Sequence, residues 1–526
     1  MNAKLYVNGT ILTMCTPLYA NALLVRDGKI IEAGEREVLQ KLAPEAEIVD
    51  LDGRTLMPAF IDPHSHFSAC ANAFLQCSVE QAQDTEQLVQ LVRDYIAQNQ
   101  IQQGEWVVAR DFDPESLDEK KVPDRSVIDQ ASPENPLVLQ HKSGHVGVLN
   151  TAALELLGIT ADTPDPEGGR MERENGRLTG YFEEKAFIQV LHKLPSPTME
   201  RLMEAYEKAQ KQYASYGIAT VQEGMMTAEM IPIYRQLCEQ KRLWLDVAAY
   251  SSVEDGARIF GAFPKSDGQY DHHFKLGGYK IFLDGSPQSR TAWMKTPYKN
   301  SGLCGYPVMK DEAVLEAVKT AVDTKRQILA HCNGDAAAEQ YLWALETLNE
   351  QGKSPAPVHP VMIHAQFVER DQLKRFAPLG LIPSFFVAHV YHWGDVHIEN
   401  VGYERASVIS PANTAEKLGL TYTFHQDSPV IRSDMLETLW CAACRLTKSG
   451  VLLGKEERVS VLEALRAVTV HAAHQYSEEN EKGSLSAGKR ADFVILDKDP
   501  LKTPTDELKR IRVLETVKNG NTVYSA

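Results

Sequence analysis

The chain has 526 residues, 43% of them hydrophobic and 24% charged, with a formal net charge of -16. That length exceeds one compact core, and the apolar content is enough to build cores, so a multidomain globular protein is expected and global disorder is excluded. The acidic balance argues against nucleic acid or an anionic membrane as the main partner.

The N-terminal stretch MNAKLYVNGTILTM alternates like a strand and has no apolar region of a signal peptide. Nor is there an apolar run long enough to span a bilayer. Eight cysteines in so long a chain do not make a disulfide framework. Cys441 and Cys444 form a CxxC inside LETLWCAACRLTK, whose apolar spacing is helical, so they read as helix residues and not as a redox or zinc pair. The expected location is cytoplasmic, with reduced thiols.

Residues 1 to about 56 carry short alternating runs separated by Asn8-Gly9, Asp27-Gly28 and Asp52-Gly53, which are tight-turn signals. This predicts a small antiparallel unit. A matching pattern returns in ADFVILDKDP and RVLETVKNGNTVYSA, again with Asn519-Gly520 as a turn. The expectation is one small β-sandwich built from both termini, residues 1–56 and 482–526, with residues 57–481 inserted into it.

That middle alternates apolar strands with amphipathic helices. Strands are expected at Leu56 to Ile61, Pro136 to His141, Ile218 to Glu223, Gly278 to Leu283, Gln327 to His331, Pro360 to His364, Leu381 to Phe386 and Leu420 to His425. Helices are expected at Thr198 to Tyr216, Asp311 to Lys325, Ala336 to Gln351 and Glu369 to Ala377. Buried, non-alternating strands between helices imply a parallel sheet. About eight of them suggest an α/β fold of the TIM-like (β/α)8 barrel type. An open doubly wound sheet is the runner-up, weakened by the lack of a glycine-rich phosphate fingerprint after the first strand. Residues of approximately 68–176 are too long for one β-to-α connection and read as an insertion near the barrel mouth, a candidate lid.

The organising stretch is MPAFIDPHSHF, a buried strand that ends in His64 and His66. Side chains alternate along a strand, so both imidazoles point the same way. Lys280 lies in GYKIFLDG, His331 ends QILAH, His364 ends PVMIH, and Asp427 follows LTYTFH. In a barrel the C-terminal ends of all strands face one mouth, so these six converge. Histidine and carboxylate suit zinc and similar divalent ions. A lysine ammonium has no lone pair and could ligate only if deprotonated or carboxylated by CO2.

At this point the chain resembles the amidohydrolase superfamily of metal-dependent hydrolases. More narrowly it is similar to the amidohydrolase-3 branch, which includes N-substituted formamide deformylase. The matching stretches are MPAFIDPHSHF, SGHVGVLNTAAL, TGYFEEKA, GYKIFLDGSPQSRTA, LAHCNGDAA, MIHAQF, SFFVAHVYHWGD, TFHQDSPV and SLSAGKRADFVILD, in the family's order over nearly the whole chain.

The resemblance implies that His64 and His66 hold the more buried metal and that His331 and His364 hold a second. Lys280 would bridge, with carboxylation as an option. Asp427 would touch metal and act as general base and then acid towards a metal-activated water. The implied cofactor is Zn2+ or a similar divalent ion, as one or two ions. His389 is a candidate catalytic donor to the oxyanion. His145, Glu184, Asp284 and Arg405 are candidate substrate contacts. His392 and His397 are read as solvated, and Asp335 as a helix cap.

The implied reaction is cleavage of a C–N bond in a small amide, with an N-substituted formamide as the named option. Alternatives on the same site are a cyclic amide, an ester or a deamination substrate. A non-catalytic amidohydrolase-like scaffold is disfavoured because all six metal positions hold suitable residues. A small-molecule substrate, no nucleic acid, no membrane and a candidate homodimer complete the expected partners.

Overall fold

The computed structural model describes residues 3–141 and 145–526. The chain divides into two compact units, Met1–Ala69 with Ala209–Ala526, and Cys70–Lys208.

The first unit carries an eight-stranded parallel sheet. Its strands, in spatial and chain order, are Phe60–Ile61, Ile218–Met226, Asp246–Ser252, Phe274–Phe282, Gln327–Cys332, Val361–His364, Ile382–Phe385 and Thr423–Phe424. Each pairs in parallel with the next. His64 lies just past the first strand and His425 just past the last, and their ring centroids are 5.2 Å apart. The sheet therefore curls until its two edges approach at their C-terminal ends, as in a TIM-like barrel. Helices connect successive strands. In Asp311–Thr324, for example, Val314, Ala317, Val318 and Ala321 are buried, the i, i+3, i+4, i+7 stripe of an amphipathic helix. It stops at Lys325, whose φ of 55° is left-handed.

The number of strands agrees with the sequence reading, but their identities differ in two places. Leu137–His141 belongs to the second unit, where it pairs antiparallel with Val146–Leu149. Its place in the curled sheet is taken by Asp246–Ser252, DVAAYSS, every residue of which is buried. Small and hydroxyl side chains give that strand little hydropathy signal, whereas the apolar run at 137–141 looks the same in either sheet. The stretch read as one strand from Leu56 to Ile61 also serves two sheets: Thr55–Pro58 joins a terminal sheet and Phe60–Ile61 the curled one.

The terminal segments form two further sheets. One has six strands in the order Asn521–Ser525, Val513–Lys518, Phe493–Leu496, Thr55–Pro58, Thr10–Leu12, Tyr19–Ala20. The other has four, in the order Lys29–Gly34, Ala22–Arg26, Ala3–Val7, Glu47–Asp50. Tyr6, Leu23 and Val25 of the second sheet share a core with Leu56, Phe493 and Val517 of the first. Asp27-Gly28 and Asn519-Gly520 are hairpin turns with positive φ at both residues. Asn8-Gly9 is not a hairpin, because the strands on either side of it lie in different sheets. The pairing is also not wholly antiparallel: Ala3–Val7 runs parallel to Glu47–Asp50.

The second unit has its own six-stranded sheet, containing the strands between Cys77 and Glu184, with a core around Leu88, Val92, Val107, Ile128, Leu137 and Leu139. It runs on to Lys208, past the residue 176 at which the sequence placed the end of the insertion, because helix Lys185–Leu191 packs Ala186, Phe187 and Val190 into a core with Val138 and Phe182. Among the described residues no helix is long and apolar enough to cross a membrane.

Candidate metal centre

His64 and His66 follow the first strand of the curled sheet, and Asp427 follows the last. Asp427 Oδ1 lies 3.4 Å from His64 Nε2 and 3.3 Å from His66 Nε2, and Oδ2 lies 3.8 Å from His364 Nε2. His64, His364 and Asp427 each offer a ligand atom within 4.8 Å of the others. Lys280 Nζ is 3.4 Å from His64 Nε2. The His331 ring centroid is 4.6 Å from that of His364. All six positions singled out at strand ends thus meet in one place. His364 and Asp427 have φ of 72° and 55°. Such left-handed backbone at residues other than glycine stores strain, a recurring mark of functional sites.

The hydrogen bonds behind these groups fix which nitrogen faces the centre. The Gln222 amide donates from Nε2 to Pro63 O at 2.7 Å and to Tyr476 Oη at 2.9 Å. Its oxygen must then face His64 Nδ1, 2.6 Å away, and accept that proton. His64 Nε2 is left with a free lone pair. His364 is arranged likewise: Nδ1 is 3.1 Å from His425 Nε2, and His425 Nδ1 is 2.9 Å from Ser384 Oγ. A proton on each Nδ1 satisfies this chain and frees His364 Nε2. Partners of this kind orient metal-binding imidazoles. His331 Nδ1 lies 3.3 Å from Asp284 Oδ1.

Burial, aided by the Lys280 charge, holds the His64 imidazole neutral, and burial with the neighbouring His331 does the same for His364. Burial opposes ionisation of Asp427, but His66, His64 and His364 outweigh it and keep the carboxyl well below the usual range. Asp427 Oδ1 is buried with no hydrogen-bond partner among the described residues. Neutral imidazoles around an ionised carboxylate with an unmet acceptor fit a divalent cation. Burial also pushes the Lys280 amine down to about 7, against the pull of Asp427.

Residues 47–524 match the amidohydrolase family. The chain belongs to this family. It is 28% identical over 518 residues to the N-substituted formamide deformylase of Arthrobacter pascens, covering 95% of this chain and 94% of that one. It is 25% identical over 522 residues to the putative amidohydrolase YtcJ of Bacillus subtilis (strain 168), covering 96% of each. An uncharacterized metal-dependent hydrolase from Pyrococcus furiosus superposes with a TM-score of 0.76 at 25% identity, covering 95% of this chain and all (100%) of the other.

Other positions in the amidohydrolase chain take different places. His389 is buried at the start of helix His389–Val401, with its ring 4.5 Å from that of Phe386, which in turn lies 5.3 Å from His425. Asp284 accepts from the backbone N–H groups of Asn333 (2.9 Å), Gly334 (2.7 Å) and Trp293 (3.0 Å). Arg405 donates to Pro297 O at 2.8 Å and Thr296 O at 3.0 Å. Through these bonds both residues hold loops, and Asp284 Oδ1 also faces His331 Nδ1. His145 and Glu184 lie in the unit Cys70–Lys208, with Nδ1 and Oε2 3.1 Å apart. Ser143 and Gly144, which open the SGHVGVLNTAAL stretch, fall outside the described residues.

The readings of His392, His397 and Asp335 change. His397 is not solvated but fully buried, and His392 is bonded to Glu437 at 2.9 Å. Asp335 is the first helical residue after Gly334, and its Oδ1 accepts from Lys295 N at 2.8 Å. Helix Val470–Gln475 packs Ala472 and Ala473 against Ile61, Val361 and Ile363 of the curled sheet. Sequence reading passed over Gln222, Tyr476 and His425, which position the ligands. His425 could have been found, since HxD at the end of the last strand places it two residues before Asp427.

Proposed function

We propose that this amidohydrolase is a metal-dependent hydrolase that cleaves the C–N bond of a small amide, with N-substituted formamides as the first class to test. The carrying observation is the Asp427 carboxylate set among His64, His66 and His364 at the mouth of the curled sheet. The name of the Arthrobacter pascens relative supports the finer substrate reading.

The ligands would be His64, His66, Lys280, His331, His364 and Asp427, holding Zn2+ as one or two ions. A divalent cation there supplies Lewis acidity, which acidifies water and polarises a carbonyl. Asp427, ionised and only partly exposed, accepts the proton of the attacking water and returns it to the departing nitrogen, so that the amine leaves neutral. His389 donates to the carbonyl oxygen as charge grows on it. Lys280, with a pKa near 7, has a free amine in part of the population at neutral pH. That amine can add to the carbon of CO2, lose a proton and become a carbamate ligand. On this reading residues 57–481, interrupted by the separate unit Cys70–Lys208, form a (β/α)8 barrel domain and residues 1–56 with 482–526 a β-sandwich.

The test is metal content of the purified protein together with amine release from a panel of N-alkyl and N-benzyl formamides and acetamides. Bound divalent metal with amine release from formamides in preference to acetamides is expected. Metal without turnover on any amide would overturn the amide reading. No metal after growth with added zinc or manganese would overturn the site itself.

A further inference from the structure

His389 and His397 sit eight positions apart on helix His389–Val401, and both are buried. His389 Nδ1 is 3.1 Å from His397 Nε2. The ring planes are within 1° of parallel with centroids 5.4 Å apart, which at that N–N distance is an in-plane N–H···N bond and not a face-to-face stack. One proton lies between them. Which ring owns it decides what His389 offers from its other nitrogen.

The far side of His397 settles the question. His397 Nδ1 is buried and has no hydrogen-bond partner among the described residues. If His389 owned the shared proton, His397 would accept it at Nε2. Its own proton would then sit on Nδ1 as a buried N–H with no acceptor. If His397 owns the shared proton, Nδ1 is a bare lone pair. A stranded N–H is the rarer and costlier defect of the two. His397 therefore donates from Nε2, His389 accepts at Nδ1, and the proton of His389 stays on Nε2. Phe386, Trp393 and His397 pack round the His389 ring and hold its orientation.

We propose that His397 is a positioning residue that locks His389 in the tautomer protonated at Nε2, so that His389 presents a hydrogen-bond donor to the substrate's oxygen. The donor role rests on the amide-hydrolase reading above, but the tautomer does not. Neutral imidazole is the form that makes the arrangement specific, because one nitrogen must donate while the other accepts. A hydrogen bond from Nε2 strengthens as negative charge builds on a carbonyl oxygen, so it acts on turnover more than on substrate binding.

The experiment is long-range 1H–15N correlation NMR on the full-length protein labelled with 15N-histidine, with the two signals assigned from His389→Phe and His397→Phe. Both rings should read as neutral and protonated at Nε2. A His389 protonated at Nδ1, or on both nitrogens, at neutral pH overturns the proposal. Kinetics on the active amide give the second reading. His397→Gln, which keeps a donor, should hold kcat within about 3-fold, while His397→Leu should lower it by about 10²-fold, the worth of one oxyanion donor, with KM nearly unchanged. Equal losses in Gln and Leu variants, or a loss confined to KM, would also overturn it. A protein that turns over no amide would count against the substrate reading alone, since the tautomer is read without substrate.

Discussion

The side-chain oxygen of Gln222 lies 2.6 Å from Nδ1 of His64, and the same amide's nitrogen is tied to Pro63 O and to Tyr476. A strand-borne glutamine therefore sets the tautomer of a candidate metal ligand just past the neighbouring strand. Replacing Gln222 with Met removes that acceptor while nearly conserving volume. Metal affinity is expected to fall about 10–100-fold, the usual effect of losing such a partner. Competition with a chelator measures it. Gln222→Glu, which keeps an acceptor beside Nδ1, should lose less. Equal metal affinity in the Met variant and the wild type would show that His64 needs no such orientation.

Asp427 is the only carboxylate in the group of three possible ligands found among the described residues. Asp427→Asn keeps the shape and removes both the charge and the proton acceptor. The expected loss in kcat is at least about 10²–10⁴-fold, the range for general acid–base catalysis. Circular dichroism should be unchanged, because only a 14% exposed site side chain is altered. A variant within 10-fold of the wild type, on the order of a minor positioning effect, would remove Asp427 from the proton-transfer role.

A second polar cluster concerns stability. Asp246, fully buried, is 2.6 Å from both Lys482 Nζ and Lys518 Nζ, and Glu478 pairs with Lys482 at 2.7 Å and also with Lys275. It joins the curled sheet to the strand Val513–Lys518. Asp246→Asn removes one carboxylate from each of two buried ammonium groups, leaving Lys482 with Glu478 and Lys518 with Asp492, and should cost about 3–5 kcal/mol, seen as a lowered urea midpoint. Burial pushes the Glu478 carboxyl up, but Lys482 and Lys275 outweigh it and bring it down to about 2 from an ordinary 4.5. Its folded pKa is depressed, so its stabilisation is present in full above pH 4.5 and drains away as pH falls toward 2. Urea midpoints in that window should drop more steeply for the wild type than for Glu478→Gln. Parallel pH profiles would show that the pair contributes nothing to acid stability.

Much of the centre was legible in the sequence because chemistry-bearing residues punctuate strand ends: His64, His66, His331, His364 and Asp427 each follow or finish an apolar run. What escaped was set by packing that local pattern does not encode. Gln222 lies inside a strand and reads as an ordinary polar interruption in IATVQE until its register against Phe60–Ile61 is known. His397 lies eight residues from His389, beyond the one-turn spacing that flags a helical pair. Asp246–Ser252 is buried by its neighbours on both sides and not by its own hydropathy. Asp284 and Arg405 stood in matching stretches, yet the backbone groups they bond are invisible in the sequence.

Gly224 offers a last test of how tightly the histidine pair is seated. Its N–H donates to Ser65 O at 2.8 Å. A Cβ at this position would stand 2.8 Å from His64 Cε1, 2.8 Å from Ser65 O and 3.2 Å from His66 Cε1. One of those contacts is backbone, so the clash cannot be relieved by a side-chain turn alone. Gly224→Ala must therefore displace the segment between the two histidines. Overpacking of this kind costs about 1–3 kcal/mol. The displacement falls on ligands, so bound metal per chain should drop further than the melting temperature suggests. Metal analysis and a thermal melt on the same preparation measure the two effects. A variant with full metal content and wild-type turnover would mean that the His64–His66 segment moves aside without disturbing the centre, and the tight seating inferred from Gly224 would be wrong.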